Sequence, residues 1–155
     1  MSDILIKEML THAKTIAMVG VSATKEKEDS KNIVRRPSTI VMKYMQEFGY
    51  EVIPINPFSV GKKIYGQDVL GKLEDIKKKV DIVNIFRPSK ETPEIAKQAA
   101  KIRAKVIWLQ FGIDHEEAKQ IAKESNIEYV ANKCIKQEYQ RLFLKTNPVF
   151  PVLKN

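Results

Sequence analysis

Four short apolar runs divide this chain, and stretches with helical spacing separate them. The runs cover residues 16–21, 52–55, 82–86 and 106–109. Each run is continuous rather than alternating, which is typical of a central strand that helices cover on both faces. Because strands and helices alternate, right-handed crossovers should join parallel strands. The sequence therefore predicts an α/β fold, a Rossmann-like doubly wound parallel sheet of about five strands in the order 3-2-1-4-5.

Capping and turn residues set the boundaries of the predicted helices. Ser38 is suited to the N-cap of a helix that Gly49 ends, and Thr92 is suited to the start of another. Asp114 and Glu117 have the spacing of a capping box at the start of a further helix. The pattern also predicts an opening helix, a weak helical segment, a fifth strand and a final helix at residues 3–13, 73–79, 127–131 and 135–145.

The length of the chain predicts a single domain over residues 1–155. With 155 residues, of which 43% are hydrophobic, it can bury one continuous core but not a second domain of similar size. We expect that core at 14–143, followed by an apolar tail at 146–155. One cysteine cannot form an internal disulfide, and no signal-peptide or membrane-spanning pattern is present. These features together predict a cytoplasmic protein.

The chain is strongly basic, which favours anionic partners. Its formal net charge is +8, and such a charge suits nucleic acid, an acidic membrane or a phosphorylated cofactor. The lysines are dispersed over several predicted helices, with neither a zinc finger nor an RNA-recognition aromatic motif. No predicted helix pairs a wide apolar face with a strongly basic one. We interpret the lysines as a solvated surface and expect neither nucleic acid nor membrane as a partner.

The residues that most often carry catalysis or metals lack suitable partners here. His12 and His115 have no Cys, His or carboxylate at ligand spacing, so no metal site is expected. The acidic residues 114, 116 and 117 are accounted for by the cap and by the helix dipole. Cys134 has two interpretations: a small buried residue at the start of a helix, which we favour, or a thiol that forms a mixed disulfide with a ligand.

The carboxyl ends of the four runs predict where a ligand binds. In an open parallel sheet these ends share one rim, and the ligand lies in a crevice just outside it. Gly20 and Ser22 follow the first run without the other two glycines of the dinucleotide-binding fingerprint. Asn56 and Pro57 follow the second run, where NAD enzymes usually carry an acid. Both differences argue against NAD, although the first turn still offers donors to a phosphate.

Six motifs along the chain resemble those of the small single-domain CoA-binding proteins. That family is similar to the amino-terminal CoA-binding domain of the succinyl-CoA synthetase α subunit. The motifs occupy residues 19–22, 36–38, 49–57, 80–88, 104–113 and 132–135, and the resemblance covers roughly 14–143. Residues 27–35 depart from the family pattern because they lengthen the loop before the second motif.

The resemblance implies a binding role for one set of residues at each strand end. The pyrophosphate would be cradled by Gly20, Val21, Ser22 and Thr24, with Arg36 and Ser38 adding charge and donors. The adenosine would be edged by Asn56 and Pro57, with Lys62 reaching its 3′-phosphate. The adenine and ribose side would be lined by Phe86, Arg87 and Pro88. The pantetheine arm would meet Gln110, Phe111 and Gly112.

The resemblance therefore implies that the chain binds coenzyme A or an acyl-CoA. We expect a carrier, a sensor or an accessory subunit for a protein partner, without catalysis of its own. The related synthetases need an ATP-handling domain and a phosphorylatable histidine, and no segment of this sequence supplies either. Two other classes stay open: a nucleotide-dependent oxidoreductase or acyl-CoA ligase component that uses the same crevice, and a nucleic-acid-binding protein.

Overall fold

The computed structural model describes residues 2–22 and 37–144 of the chain. Its strands are, in chain order, β1 (Thr15–Val19), β2 (Glu51–Ile55), β3 (Lys63–Ile64), β4 (Gln67–Asp68), β5 (Ile82–Ile85), β6 (Val106–Leu109) and β7 (Glu128–Val130). Five of them form one parallel sheet in the order β2-β1-β5-β6-β7, while β3 and β4 form a small antiparallel hairpin. The predicted α/β class with a five-stranded parallel sheet is confirmed.

Helices cover both faces of the sheet. They are α1 (Asp3–His12), α2 (Pro37–Glu47), α3 (Thr92–Lys101), α4 (Glu116–Glu124) and α5 (Ile135–Tyr139), which continues as a π-helical turn over Gln140–Leu144. Two 3₁₀ turns, Leu73–Asp75 and Ser89–Glu91, lie between β4 and α3. Within the described residues, no helix is long and apolar enough to cross a membrane.

Each strand of the sheet contributes to two cores. Ile16 and Met18 of β1 pack with residues of α1, α2 and α5, while Ala17 and Val19 pack with residues of α3 and α4. Successive side chains of a strand point to opposite faces of its sheet. A strand covered on both faces is therefore apolar at nearly every position, which explains the continuous runs in the sequence; the buried Asn84 of β5 is the polar exception, and its Nδ2 donates to the Trp108 carbonyl and to Gln110 Oε1.

The predicted strand order was wrong in one respect. In the structure β5 pairs with β1, with Ile16 opposite Ile82, and not with the outer edge of β2. That edge is occupied by the chain after β4, because the Leu70 N–H donates to the Pro54 carbonyl at 3.0 Å and the Leu70 carbonyl accepts from the Asn56 N–H at 2.8 Å. The five strands, in the numbering of the sequence prediction, therefore run 2-1-3-4-5 rather than 3-2-1-4-5.

Two of the predicted helix caps differ in detail. Ser38 lies inside the first turn of α2, which begins at Pro37, so it is not the N-cap. The N-cap of α4 is His115, whose Nδ1 accepts from the Glu117 N–H at 3.1 Å. The Asp114 carboxylate instead accepts from the Tyr129 hydroxyl at 2.7 Å, and this bond ties the start of α4 to β7.

A third predicted cap, Thr92, also differs: the N-cap of α3 is Glu91, and the Thr92 hydroxyl donates to the Ser89 carbonyl at 2.7 Å instead of capping the helix. The end of α2 follows the predicted signal. Gly49 adopts φ +99° just after α2, and its N–H donates to the Gln46 carbonyl at 3.0 Å. The weak helical segment is reduced to the 3₁₀ turn Leu73–Asp75. The predicted tail at 146–155 lies outside the described residues, as do residues 23–36.

Candidate functional site

A crevice of about 540 Å³ opens at the carboxyl ends of β1 and β2 and against α3. Its volume is within the range of roughly 300–1,000 Å³ that is usual for small-molecule sites. The crevice lies where β1 and β5 run side by side, and the helices that follow these two strands pack on opposite faces. That arrangement is the switch point at which open α/β sheets bind ligands.

Gly20 allows the turn after β1 to pack closely against the turn after β5. It has φ +98°, and its N–H donates to the Ile55 carbonyl at 2.9 Å. A Cβ atom at this position would lie 3.0 Å from Cδ of Arg87 and 3.1 Å from the Phe86 carbonyl oxygen. Glycine is therefore required here for backbone conformation and packing. Its N–H is engaged in a hydrogen bond within the fold.

Asn56 joins the turn after β2 to the turn after β1. Its Nδ2 donates to the Val21 carbonyl at 3.0 Å, and its Oδ1 accepts from the Phe58 N–H at 2.9 Å. Phe58 lines the crevice, yet its surface is 94% exposed. The two side-chain hydrogen bonds of Asn56 thus hold the turn that places the exposed Phe58 at the mouth of the crevice.

Arg87 and Glu91 form a bidentate ion pair on the crevice wall. Nε and Nη2 of Arg87 donate to the two carboxylate oxygens of Glu91, each at 2.8 Å. These hydrogen bonds raise the pKa of the Arg87 guanidinium and lower the pKa of the Glu91 carboxyl. Both groups are therefore charged at neutral pH.

The rest of the described wall is close to electrically balanced. Lys72 lies 3.6 Å from a carboxylate oxygen of Glu74, and Glu94 adds a further acid from α3. The lining also includes apolar side chains, among them Ile55 and Ile95. A polar rim with apolar walls suits a ligand that carries both charged and apolar parts.

The structure brings together only some of the residues that the resemblance assigns to CoA. Those that line the crevice are Gly20, Ser22, Asn56, Pro57 and Arg87. The remaining described ones near these strand ends, Val21, Ser38, Lys62, Phe86 and Pro88, do not line it. Thr24 and Arg36, together with the insertion at 27–35, lie outside the described residues.

The residues expected at the pantetheine arm lie at the end of β6, beyond β5 from the crevice. Gln110 is buried, and its Oε1 accepts from Nδ2 of Asn84 and from the Ile135 N–H, each at 3.0 Å. Phe111 is 75% exposed, and the Gly112 N–H donates to Oδ1 of Asn132 at 2.6 Å. The side chain of Gln110 therefore links β5, β6 and the start of α5.

Replacing Gln110 by alanine should lower the free energy of unfolding by about 1–3 kcal/mol, because it removes the acceptor of the Ile135 N–H and one of the two acceptors of Asn84 Nδ2, whose other acceptor is the Trp108 carbonyl. Gln98→Ala is the matched control, since Gln98 lies on the crevice wall without a side-chain hydrogen bond to the described residues. Denaturant titration of both variants measures the difference. Equal stability of the two variants would contradict a structural role for Gln110.

Several crevice residues were not predicted from the sequence. They include Phe58, Lys72, Glu91, Glu94 and Gln98, together with the glycine and apolar lining residues Val19, Ile55, Gly71, Leu73 and Ile95. Phe58 had a usable signal, because it directly follows Asn56 and Pro57 at a strand end. Glu91 and Glu94, at the start of α3, had no such signal, because helical spacing does not reveal whether a helix face contacts solvent or a crevice.

The two histidines and the cysteine lie away from the crevice. Neither His12 nor His115 lines it. Among the described residues, no group of three or more His, Cys, Asp or Glu side chains could hold a metal ion. Cys134 is half-buried at the N-cap of α5 and packs against the core formed with α1 and α2.

A family model described as a CoA binding domain matches residues 14–140. The chain belongs to this family of CoA-binding domains. The family predicted from the six motifs is thereby confirmed. This CoA-binding domain is 38% identical over 131 residues to the uncharacterized protein YneT of Bacillus subtilis (strain 168), in a match that covers 84% of this chain and 89% of YneT.

Two solved structures resemble this CoA-binding domain to different degrees. A hypothetical protein from Pyrococcus horikoshii OT3 matches with a TM-score of 0.80 and 37% identity over 92% of each chain. The dinucleotide-forming acetyl-coenzyme A synthetase 1 of Candidatus Korarchaeum cryptofilum matches with a TM-score of 0.63 and 20% identity. That match covers 81% of this chain but 27% of the synthetase, so it shows a shared fold with one part of a larger protein.

Proposed function

We propose that this CoA-binding domain binds coenzyme A or an acyl-CoA in the crevice at the carboxyl ends of β1 and β2. The observation that carries the proposal is the position of the crevice at the switch point between β1 and β5 in a chain of this family. The mixed polar and apolar lining supports it, because CoA joins phosphates and a nucleoside to a less polar pantetheine arm.

In this proposal the phosphates lie near the turn after β1. The Ser22 hydroxyl and the Arg87 guanidinium are the described donors on that side of the crevice. Charged hydrogen bonds from arginine to phosphate are stronger than neutral ones and are often bidentate. Thr24 and Arg36 stay predictions from the sequence.

The adenine lies against Phe58 in the same proposal. An aromatic residue that is 94% exposed at the mouth of a crevice contributes little to the folded core. It does offer a ring face on which a nucleobase can stack. Asn56 holds the backbone of this turn in place, which lowers the entropy that binding must remove.

We propose a carrier, a sensor or an accessory subunit rather than an enzyme. The described lining of the crevice contains neither histidine nor cysteine. Its other groups of the kinds used in nucleophilic and acid–base catalysis are Ser22, Lys72, Glu91 and Glu94. Of these, Glu91 is paired with Arg87, and Lys72 lies 3.6 Å from a carboxylate oxygen of Glu74. The alternative of a nucleotide-dependent oxidoreductase or ligase component predicts a different ligand preference, which can be measured directly.

Thermal unfolding with CoA, acetyl-CoA, NAD and NADP tests the proposal. A ligand at 100 times its Kd stabilises the native state by about 2.7 kcal/mol, which raises the Tm of a domain of this size by roughly 5–10 °C. We expect this rise with CoA or acetyl-CoA and not with the dinucleotides. Equal stabilisation by NAD would contradict CoA selectivity. If the protein were retained on duplex DNA, and this retention fell steeply with salt but did not change when CoA was added, nucleic-acid binding would be favoured instead.

A further inference from the structure

We infer that Glu91 is a positioning residue, which holds the Arg87 guanidinium over the turn after β1 and leaves one edge of it free for a ligand phosphate. The inference rests on the proposed function, since it concerns how the same crevice receives the phosphates of CoA.

Glu91 accepts hydrogen bonds from one edge of the Arg87 guanidinium and makes none with the other edge. The hydrogen bonds to Glu91 come from Nε and Nη2, which form the side-on edge of Arg87. A guanidinium carries five N–H groups, so both N–H groups of Nη1 and one of Nη2 stay available. Among the described residues, Arg87 has no other hydrogen-bond acceptor. The remaining end-on edge matches two oxygens of a phosphate.

The aliphatic stem of Arg87 lies beside the turn after β1, near which the proposed function places the phosphates. Its Cδ would be 3.0 Å from a Cβ atom at Gly20, so the stem passes directly over the turn after β1. Ser22 lines the crevice two residues further along that turn. Arg87 and Ser22 therefore both line the crevice, and the Arg87 stem lies beside the turn that carries Ser22.

Glu91 itself is held by a short, well-bonded turn. The Glu91 N–H donates to the Pro88 carbonyl at 2.9 Å, and the Thr92 hydroxyl donates to the Ser89 carbonyl at 2.7 Å. The carboxylate is thus anchored four residues from its arginine, at the start of α3. An arginine fixed in this way loses less side-chain entropy when a ligand binds than a free one does.

The opposite role for Glu91 is that of a competitor. A carboxylate on the crevice wall repels phosphates, and a ligand that needed the side-on edge of Arg87 would have to displace it. The two roles predict opposite effects of removing the acid. The free end-on edge favours positioning, because the phosphate can bind without breaking the pair.

A double-mutant cycle tests the inference. The Kd for CoA is measured by calorimetry for the wild type, Glu91→Ala, Glu91→Gln, Arg87→Ala and the double variant R87A/E91A. We expect Arg87→Ala to weaken CoA binding roughly tenfold or more. Both Glu91 variants should weaken it about three- to tenfold when Arg87 is present, and Glu91→Ala should add no further loss when Arg87→Ala is already in place, as expected for coupled residues. Pantetheine, which has no phosphate, should bind all variants equally.

Glu47→Ala is the matched control. It removes the carboxylate of another i,i+4 pair, with Lys43 at 3.7 Å on α2, away from the crevice. We expect the Kd for CoA to be unchanged in this variant. Tighter CoA binding by Glu91→Ala, an equal loss with and without Arg87, an equal loss for pantetheine, or no loss at all would each overturn the inference. A wild-type protein that binds no CoA would instead overturn the proposed function.

Discussion

Replacing Gly20 by alanine is expected to lower the free energy of unfolding by about 2–5 kcal/mol. A residue with a Cβ at φ +98° is strained by about 1–2 kcal/mol. The new Cβ would also lie 3.1 Å from the Phe86 carbonyl oxygen, and overpacking of this kind costs about 1–3 kcal/mol. In thermal unfolding the loss should appear as a fall in Tm of roughly 5–15 °C.

Gly61→Ala separates the two causes. Gly61 has φ +97°, close to that of Gly20, but nothing lies within 4 Å of the position that a Cβ atom would take there. This control should therefore show the conformational cost alone, about 1–2 kcal/mol. If Gly20→Ala were no less stable than Gly61→Ala, the close approach of the turns after β1 and β5 would be refuted.

Phe58→Ala is expected to weaken CoA binding by about 1–3 kcal/mol, the usual effect of removing an aromatic ring on which a base stacks. Because the residue is 94% exposed, its removal should change stability little. Calorimetry with three ligands identifies the part of CoA involved. CoA and 3′,5′-ADP carry the adenine and should bind more weakly, whereas 4′-phosphopantetheine lacks it and should bind as before.

Phe111→Ala is the control for this measurement. Phe111 is also an exposed phenylalanine, at the end of β6 and outside the crevice. The family resemblance assigns it to the pantetheine arm, so its removal should leave the affinity for 3′,5′-ADP unchanged. An unchanged affinity of Phe58→Ala for both CoA and 3′,5′-ADP would show that the ring is not the platform for the base.

Pro54 is a local signal for the strand order, and the sequence prediction did not use it. The order 3-2-1-4-5 made β2 a central strand, although Pro54 lies within it. Proline cannot donate to a ladder and is largely confined to edge strands and bulges. In the structure the Pro54 carbonyl accepts from Leu70 at the edge of the five-stranded sheet. Pro54 was therefore evidence in the sequence for the observed order.

The candidate site was predictable where it depends on strand ends. Gly20, Ser22, Asn56, Pro57 and Arg87 each lie at or just after the end of an apolar run, and the carboxyl ends of parallel strands meet at one rim whatever the strand order. Residues that reach the crevice from a helix face had no comparable signal. Helical spacing identifies the residues that share a face but not what that face contacts.

By itself, the sequence determined the α/β class, the approximate element boundaries and the family, because continuous apolar runs, caps and ordered motifs are local properties of the chain. Only the tertiary structure decided that β5 lies beside β1 and that Gln110 links β5 to α5. The same holds for the ion pair that Glu91 forms with Arg87, whose stem packs against Gly20. These features depend on which segments compete for the same edge or donor, and that competition is resolved only when the whole chain packs.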